Sequence, residues 1–412
     1  MKSSQRSRTG LMLILLVLLA LLARVAYIST LEPEIFWYDG QEYQRLARGI
    51  MDQGAYLAED GSPTAFWPPG YPAFLAILGA DVLLVRVVQA LLGSLAVFLI
   101  FLLARRFLGH RQSLLAAALS AIYPLYIYTA GSFYPVALLT VLLTSVFILL
   151  LQSVEKGGRF RAILAGLLGG FASLTTAAAL PAMALTIPWL WFEGNRNARG
   201  RGRGLSIVFA LMLVLVVGGW TARNVSHFGR PVLVSLNGGY NFWLGNYPGV
   251  KATTGNRWTD QMQTEYHTLA AQNPGEAELD AALRSRAWEF IRKDPLRFVG
   301  LSAAKGLNLW RLYPQPMTED RPGLNAEKLI SICSYGLALP FALFFLFISL
   351  RKWPGARLAL IFFLAYTAVH AVVLSKFRFR LPLDGILLVF TAGGLGMLMK
   401  TFGWKILEDP KR

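Results

Sequence analysis

The chain has 412 residues, of which 55% are hydrophobic and 15% are charged, and it carries a formal net charge of +17. Soluble domains have about 45–50% apolar and about 25% charged residues, so this composition excludes a disordered chain, a nucleic-acid-binding domain and an ordinary cytosolic enzyme. The apolar residues are concentrated in blocks of about 20, the length that one helix needs to cross a bilayer. We therefore predict an all-α polytopic membrane protein.

In chain order, the apolar blocks predict about ten transmembrane helices, at residues 11–31, 72–104 with a break near Asp81, 112–130, 134–152, 160–176, 178–192, 205–223, 329–350, 357–375 and 382–399. The first block has no small-residue cleavage site after it, so it is interpreted as a retained span. Near the break in the second span, Asp81 and Arg86 are expected to pair. The spans divide the chain into an N-terminal transmembrane region (1–223) with a first outer loop (32–71), an outer segment (224–328) and a C-terminal transmembrane region (329–412).

The basic residues predict the orientation of these helices. With the N-terminus in the cytoplasm, the short cytoplasmic segments hold 20 basic residues (Lys and Arg) and 4 acidic residues (Asp and Glu). The rest of the chain holds 20 basic and 19 acidic residues. Lys and Arg concentrate in the cytoplasmic loops of membrane proteins, so the net charge indicates orientation and requires no nucleic-acid partner. Both termini are predicted to be cytoplasmic, with the first outer loop and the outer segment on the opposite face.

A helix is predicted just after the first span, because Tyr43, Leu46, Ala47 and Ile50 recur at helical spacing. Asp39 falls at its start, where an Asp can cap backbone N–H groups. Alternatively, the Asp39 carboxylate is a general base held at the membrane surface. The helix is amphipathic and is expected to lie along the membrane interface.

A rigid turn follows this helix and leads into the second span. It contains Pro68 and Pro69 between Trp67 and Tyr71, and the two prolines restrict the backbone. The aromatic residues suit the interfacial belt of a membrane protein. Together with Glu42 and Tyr43 of the preceding helix, Trp67 and Tyr71 are candidate substrate-binding residues.

This pattern resembles the GT-C glycosyltransferases. An Asp39-x-x-x-Tyr43-x-x-x-Ala47-Arg48 helix after the first span, followed by the Pro68-Pro69 turn, is most similar to the aminoarabinose–lipid A transferases and the protein O-mannosyltransferases (glycosyltransferase family 39). The resemblance implies a GT-C fold with amphipathic helices in the first outer loop and a small helical outer segment between spans seven and eight. It also implies that Asp39 is catalytic.

Two positions depart from the pattern of the aminoarabinose transferases. Those enzymes have a second acid directly after the first, where this chain has Gly40, and a basic residue before the proline pair, where this chain has Trp67. The resemblance therefore assigns no cofactor and leaves the metal unknown. A divalent metal stays an open alternative, because Glu42 lies three residues after Asp39 and could replace the second acid. The contacts to a donor phosphate are expected to come from other residues.

Four cations are candidate ligands for that phosphate. Arg378 and Arg380 alternate with Phe between spans nine and ten, on the predicted outer face, and the alternation predicts that they share a face. An Arg-Phe-Arg-Leu-Pro element at the start of a late span also resembles bacterial relatives of the family. Arg suits phosphate through its fork of donors, although snorkelling to lipid headgroups is the alternative. Arg223, at the end of span seven, and Lys305, in the outer segment, complete the set.

The stretch 236–247 is rich in aromatic residues, Asn and Gly. Rings that stack on C–H patches and amides that form hydrogen bonds are the usual means of holding a sugar. We interpret this stretch as a sugar or acceptor pocket, the alternative being an ordered interfacial loop; the candidate residues are Asn237, Tyr240, Asn241, Trp243 and Asn246.

The sequence thus predicts an enzyme that transfers a sugar from a polyprenyl-phosphate donor to an acceptor hydroxyl at the outer membrane face. The expected partners are this donor, a lipid, glycan or protein acceptor, and membrane lipid, with no nucleic acid. A bacterial inner membrane is the expected location, with periplasm on the outer side. The alternatives are a non-enzymatic transporter or flippase for lipid-linked sugars, and a membrane scaffold.

Overall fold

The structure, a computed structural model, describes residues 2–197, 200–253, 258–313 and 326–402. Within those ranges the regular secondary structure is helical, and the one β pairing is an isolated bridge between Leu57 and Pro63. The prediction of an all-α fold is confirmed.

The bundle contains most of the helices. In its first half these are α1 (Lys2–Ile28), α3 (Gly70–Ile77), α4 (Val82–Ala104), α5 (His110–Ala121), α6 (Pro124–Gly131), α7 (Val136–Lys156), α8 (Arg159–Thr175), α9 (Ala179–Asn197) and α10 (Gly202–Phe228). In its second half they are α15 (Ala326–Ser331), a π-helical turn (Ile332–Gly336), α16 (Leu337–Ser349), α17 (Pro354–Val372), a 3-10 turn (Phe377–Arg380) and α18 (Leu381–Thr401).

Seven helices within the described ranges are long and apolar enough to cross a membrane, or eight if α5 and α6, which are bent by 46°, form one span. The chain is therefore an integral multi-pass membrane protein. The sequence-based count of about ten is only approximate. It included the blocks 160–176 and 178–192, which correspond to α8 and α9, and neither helix is among the seven.

The break predicted near Asp81 is present and has a local cause. Gly79 and Ala80 have positive φ angles of 69° and 53°, which end α3. The Asp81 carboxylate then accepts a hydrogen bond from the backbone N–H of Leu84 at 2.7 Å and caps α4, as short acidic side chains do at helix starts.

The predicted pairing of Asp81 with Arg86 is wrong. The Arg86 guanidinium donates instead to the backbone carbonyls of Glu32, Glu34 and Gly131, at 2.6, 3.0 and 3.1 Å. A guanidinium has five N–H groups in a fixed plane, so one side chain can hold several carbonyls. Arg86 thereby fixes the chain that leaves α1 against the end of α6.

Helix α18 lies at the centre of the bundle and packs on α4, α5, α7 and α16. Its glycines explain how neighbouring helices approach so closely. A Cβ on Gly394 would meet the backbone of Phe341, and one on Gly385 would meet Ile100 at 2.9 Å. Small residues serve this role between membrane helices because van der Waals packing drives their association.

Helix α2 (Tyr38–Gln53) lies outside the bundle, at the position predicted for the amphipathic helix. Leu46 and Ala47 are fully buried, and Gly54, with a φ of 65°, ends the helix in a left-handed cap. Glycine suits this cap because it adopts positive φ without strain.

The described part of the long segment between α10 and α15 forms a second small helical unit of four helices, α11 (Gly238–Asn246), α12 (Asp260–Gln272), α13 (Glu276–Lys293) and α14 (Pro295–Leu309). Its apolar core includes Trp243, Leu283, Ala287 and Phe290. The backbone N–H of Leu236 donates to the carbonyl of Ala65 at 2.7 Å. This segment and the chain around α2 therefore meet at one end of the bundle.

Candidate active site

The Asp39 carboxylate forms an ion pair with Arg378. Arg378 Nη2 lies 2.9 Å from Asp39 Oδ2, and the Tyr134 hydroxyl donates to the same oxygen at 3.0 Å. Arg378 Nη1 in turn donates to the Tyr134 hydroxyl at 2.9 Å, so the three side chains form a closed triangle. Asp39 lies in the first turn of α2, whereas Trp37 occupies the cap position with no side-chain hydrogen bond. The carboxylate is thus engaged by side chains rather than in capping the helix.

Three separate parts of the chain supply this triangle. Asp39 belongs to α2, Tyr134 to the linker between α6 and α7, and Arg378 to the 3-10 turn before α18. The Arg378 guanidinium also lies over the Tyr134 ring, 4.3 Å from its centroid. Arginine favours such stacking because its planar cation interacts with the ring face.

The structure explains why a small residue follows Asp39. A Cβ on Gly40 would lie 2.8 Å from Ile35 Cγ2 and 2.9 Å from Phe133 Cβ. Glycine therefore permits the start of α2 to approach the residue that precedes Tyr134. The position that holds a second acid in the aminoarabinose transferases has no room for a side chain here.

The triangle leaves polar atoms available for a ligand. Within the described ranges, Asp39 Oδ1 accepts no hydrogen bond, and three of the five N–H groups of Arg378 have no acceptor. Asp39 and Arg378 are 29% and 28% exposed, respectively. Burial raises the pKa of Tyr134, so its hydroxyl keeps the proton that it donates to Asp39.

Lys376, two residues before Arg378, adds a second cation. It is half-buried, and its amine forms no hydrogen bond or ion pair with any residue in the described part of the chain. Burial lowers the pKa of Lys376 to about 8, an effect that Arg378 reinforces and Asp39 opposes. An amine in this position can receive an anion without first breaking another contact.

Arg380 has different surroundings, and the prediction that it shares a face with Arg378 is wrong. It is fully buried, its guanidinium lies 3.5 Å from the centroid of the Tyr335 ring, and its Nε is 3.4 Å from Asp384 Oδ1. In a 3-10 turn, residues two apart are rotated by about 240°, whereas in an extended chain they point the same way. The sequence therefore predicted an accessible cation at a position that is internal to the bundle.

Lys305 is also internal. Its amine donates to Asn246 Oδ1 and to the carbonyls of Val372 and Val373, each at 3.1 Å. An ammonium group has three N–H donors, and all three are in use. This differs from the sequence-based expectation of a cation free to bind phosphate.

Arg223 lines a cavity of about 480 Å³ at the other end of α2. Its guanidinium donates to the carbonyls of Thr64 and Tyr56, at 2.8 and 2.9 Å, and stacks on Trp220. We call this cavity the Arg223 cavity. Its walls are mostly apolar and come from α2, the connection between α2 and α3, α3, α8 and α10. The apolar wall residues are Ile50, Ala55, Leu57, Pro69, Ala73, Phe171, Leu174 and Trp220.

The substrate-binding candidates near Asp39 are mainly packed against each other. Glu42 pairs with Arg45 at 3.0 Å. The Tyr43 ring meets the edges of Trp67 and Tyr71, with centroids 5.1 and 5.2 Å apart. The Tyr71 hydroxyl is buried and donates to Gln89 at 2.9 Å, whereas Trp67 remains partly exposed.

The predicted sugar pocket at 236–247 divides into a buried and an exposed part. Trp243 is fully buried in the core of its own segment, and Asn246 Nδ2 donates to the carbonyls of Phe242 and Val372. Three residues of the stretch remain partly exposed, namely Asn237, Tyr240 and Asn241. The Asn237 Oδ1 accepts a hydrogen bond from the Ser235 hydroxyl.

Tyr240 connects this segment to the Asp39 region. Its ring centroid lies 5.8 Å from that of Phe66, which in turn contacts Trp67. Burial raises the pKa of Tyr240 to about 12, and the Asp39 charge acts in the same direction. Tyr240 is thus linked to Tyr43 of α2 by ring contacts through Phe66 and Trp67 in turn.

Sequence reasoning missed Tyr134, and it did not include Lys376 among the four cations proposed for the phosphate, although Lys376 lies two residues before Arg378. The available signal was topological, because Tyr134 lies between Phe133 and Pro135 in a linker on the same predicted face as Asp39. No group of three or more His, Cys, Asp or Glu side chains in the described ranges is arranged to hold a metal ion.

The fold is similar to that of solved oligosaccharyltransferase structures, and part of the chain matches a mannosyltransferase family, in agreement with the resemblance noted in the sequence. Residues 61–220 match the family of dolichyl-phosphate-mannose-protein mannosyltransferases. This match covers less than half of the chain and includes neither Asp39 nor Arg378, so the site rests on its own geometry. No curated protein matches the chain.

Two solved structures of an archaeal oligosaccharyltransferase show the same fold. The archaeal oligosaccharyltransferase AglB from Archaeoglobus fulgidus, in complex with an inhibitory peptide and a dolichol-phosphate, has a TM-score of 0.57 at 13% identity, over 99% of this chain and 53% of AglB. The apo form of the oligosaccharyltransferase from that organism has a TM-score of 0.56 at 15% identity, over 98% of this chain and 52% of that enzyme. This chain thus spans about half the length of those enzymes. ArnT from Cupriavidus metallidurans, bound to undecaprenyl phosphate, has a TM-score of 0.42 at 15% identity, over 97% of this chain and 80% of ArnT.

Proposed function

We propose that this chain is a membrane glycosyltransferase that transfers a sugar from a polyprenyl-phosphate donor to an acceptor hydroxyl, with Asp39 as the general base. The observation that carries the proposal is the contact between Asp39 and Arg378, together with Lys376 two residues away, whose amine has no partner among the described residues. A base for the acceptor and cations for the leaving phosphate therefore converge at one position. The match to a family of enzymes with dolichyl-phosphate sugar donors supports the same reaction.

The reaction requires one displacement at the anomeric carbon of the donor sugar. The acceptor hydroxyl attacks this carbon while its proton passes to Asp39 Oδ1, the carboxylate oxygen that accepts no hydrogen bond within the described ranges. The bond from the carbon to the phosphate oxygen breaks, and its electron pair remains on the phosphate. A phosphate leaves without needing an acid, so a single carboxylate is enough, and a single displacement inverts the configuration.

Arg378 and Lys376 stabilise the charge that develops on the leaving phosphate. While it remains paired with Asp39, Arg378 has three N–H groups without an acceptor in the described ranges, and these are available for this purpose. Donors that are fixed in place before the reaction lower the barrier because they need no reorganisation. The Tyr134 hydroxyl holds both partners and so fixes the distance between the base and the cation.

The Arg223 cavity suits part of the isoprenoid chain of the donor. Its walls are mainly apolar, and its volume is about 480 Å³. Ile50 on the cavity wall lies 11 residues after Asp39 on α2, which corresponds to about 16 Å along the helix. The phosphate can therefore lie near Arg378 while the first few isoprene units extend toward the cavity.

We place the reaction on the outer face of the membrane, because the distribution of Lys and Arg puts both termini in the cytoplasm. The acceptor is a hydroxyl of a lipid, a glycan or a protein. The partly exposed residues of the stretch 236–247, above all Tyr240, are the proposed contacts for the sugar or the acceptor.

The test is release of free polyprenyl phosphate in proteoliposomes that contain lipid-linked sugars extracted from native membranes. Asp39→Asn is expected to lower release by about 1,000-fold, since a positioned general base contributes about 10²–10⁴. Asp52→Asn, an exposed acid on the same helix, serves as the matched control and is expected to behave like wild type. The same assay with and without EDTA determines whether a divalent metal is required.

Equal release by wild type and Asp39→Asn would remove Asp39 from the role of base. If wild type binds donor and moves it between leaflets without releasing lipid phosphate, the flippase alternative replaces the transferase. A fluorescent lipid-linked sugar distinguishes these cases, because movement across the bilayer exposes it to a quencher that cannot cross.

A further inference from the structure

Lys305 is a buried cation that holds together three parts of the fold. It projects from α14 and is only 2% exposed. Its amine donates to Asn246 at the end of α11 and to the carbonyls of Val372 and Val373 at the end of α17. The long segment between α10 and α15 is thereby linked to the chain that leaves the bundle toward Arg378.

The position of the Lys305 amine follows from the way α17 ends. The last carbonyls of a helix have no partner within the helix and carry the negative end of its dipole. At Val373 the backbone leaves the helical conformation, with φ −92° and ψ −87°. A buried ammonium group at this end satisfies two of the orphaned carbonyls and complements the dipole.

Other contacts reinforce the same point. Asn246 Nδ2 donates to the Val372 carbonyl at 3.0 Å, and Asn308 Nδ2 to the Ser375 carbonyl at 3.4 Å. Gly245 is in close contact with the Val373 carbonyl, where a Cβ would collide. The chain from 372 to 375 is therefore held by α11 and α14 together.

This anchored stretch leads directly to the cations of the candidate active site. Lys376 follows Ser375, and Arg378 lies two residues further on, paired with Asp39 at 2.9 Å. Misplacement by about 1 Å in an active site can cost about 100-fold in rate. Small shifts of Val372 and Val373 would thus be transmitted to both cations.

We infer that Lys305 is a positioning residue that fixes Lys376 and Arg378 opposite Asp39, and that the long segment between α10 and α15 therefore sets the binding of the donor phosphate. The inference rests on the proposed function, in which these two cations contact that phosphate. It assigns Lys305 no contact with substrate. Its effect is expected on the affinity for the donor and not on that for the acceptor.

The first experiment measures the binding of undecaprenyl phosphate and the KM values for donor and acceptor in Lys305→Ala. We expect donor affinity to fall by about tenfold, equivalent to about 1.4 kcal/mol, with the acceptor KM unchanged. Lys293→Ala, an exposed lysine at the end of α13, is the control and is expected to match wild type. An unchanged donor affinity, or an equal loss for donor and acceptor, would overturn the inference.

Chemical rescue separates the ammonium group from the volume that it fills. Propylammonium added to Lys305→Ala is expected to restore donor affinity, whereas 1-propanol, of similar size but uncharged, is not. Rescue by both compounds would mean that Lys305 only fills space, which contradicts a role for its charge. Rescue by neither, together with a melting temperature equal to that of wild type, would also contradict that role.

Hydrogen–deuterium exchange provides a readout that does not depend on activity. In Lys305→Ala, the amides of 373–380 are expected to exchange about tenfold faster, while those of α4 and α7 remain protected. Uniformly faster exchange would indicate global destabilisation and overturn the inference. If wild type fails to transfer sugar, the proposed function fails, but the exchange of 373–380 still decides whether Lys305 positions this segment.

Discussion

The two ends of α2 present different surroundings to an arginine. At the Asp39 end, Arg378 pairs with a carboxylate and a tyrosine hydroxyl and retains three N–H groups without an acceptor in the described part of the chain. At the other end, Arg223 holds the backbone of Tyr56 and Thr64 beside an apolar cavity. The contacts that a guanidinium already makes therefore decide whether it has N–H groups left to bind a charged ligand. We assign the first end to the reaction and the second to the hydrocarbon chain of the donor.

Among the variants that compare the two ends of α2, those of the two arginines are expected to differ most. Arg378→Gln is expected to lower kcat/KM for release of lipid phosphate by about 100-fold or more, because a lost donor to a developing charge costs about 2.7–4 kcal/mol. Arg223→Gln retains hydrogen-bonding capacity toward the two carbonyls and is expected to cost about tenfold at most. The two variants, measured in the same proteoliposomes, test the assignment directly. A larger loss in Arg223→Gln would move the phosphate to the cavity end of α2.

Tyr134→Phe is expected to have a smaller effect at the Asp39 end. The change removes the hydroxyl that donates to Asp39 and accepts from Arg378, while the ring under the guanidinium remains. We expect a loss of about tenfold in kcat, since one hydrogen bond contributes about 0.5–1.5 kcal/mol. Tyr128→Phe, on the exposed surface of α6, is the control. Wild-type kcat in Tyr134→Phe would show that Asp39 and Arg378 need no third partner.

The sequence predicted the elements of this site better than their contacts. The apolar blocks and the start of α2 are local patterns, and the structure has α2 and the break before α4 where they were expected. Arg378 and Arg380 looked equivalent because they alternate with Phe, but the 3-10 turn directs one toward Asp39 and the other into the bundle. That outcome depends on how α18 begins, which spacing alone does not encode.

The same limit applies to residues that are distant in sequence. Tyr134 lies 95 residues from Asp39, and its contact depends on the packing of α2 against the linker at Phe133. Trp243 and Asn246 belong to a stretch whose composition suits sugar binding, yet both are buried. Composition predicts the chemistry that a segment can perform, whereas tertiary packing decides which of its side chains remain available.

The pH dependence of donor binding tests the Asp39 end through Lys376. Burial lowers the pKa of Lys376 from 10.5 to about 8, so its amine is charged below pH 8 and neutral above it. Affinity for the donor phosphate should therefore fall as pH rises from 7 to 9, by about fivefold if the contact is worth up to about 1 kcal/mol. Lys376→Met is expected to remove this dependence.

Lys305 is the control, because burial also lowers its pKa to about 8. If the pH dependence persists in Lys376→Met but disappears in Lys305→Met, it belongs to Lys305.

The smallest expected effect concerns the cavity end of α2. Ala73 lies on the wall of the Arg223 cavity, and Ala73→Phe would fill part of it. Displacing about one methylene of the donor chain costs about 0.8 kcal/mol, so the KM for an undecaprenyl donor should rise by about threefold to fourfold. A donor with only two isoprene units should be unaffected if its chain ends before the cavity. Ala303→Phe, which adds the same ring to an exposed position on α14, is the control. Equal effects on the long and short donors would show that the cavity does not hold the distal isoprene units. In that case the two ends of α2 could not be distinguished as a reactive end and a hydrocarbon-binding end.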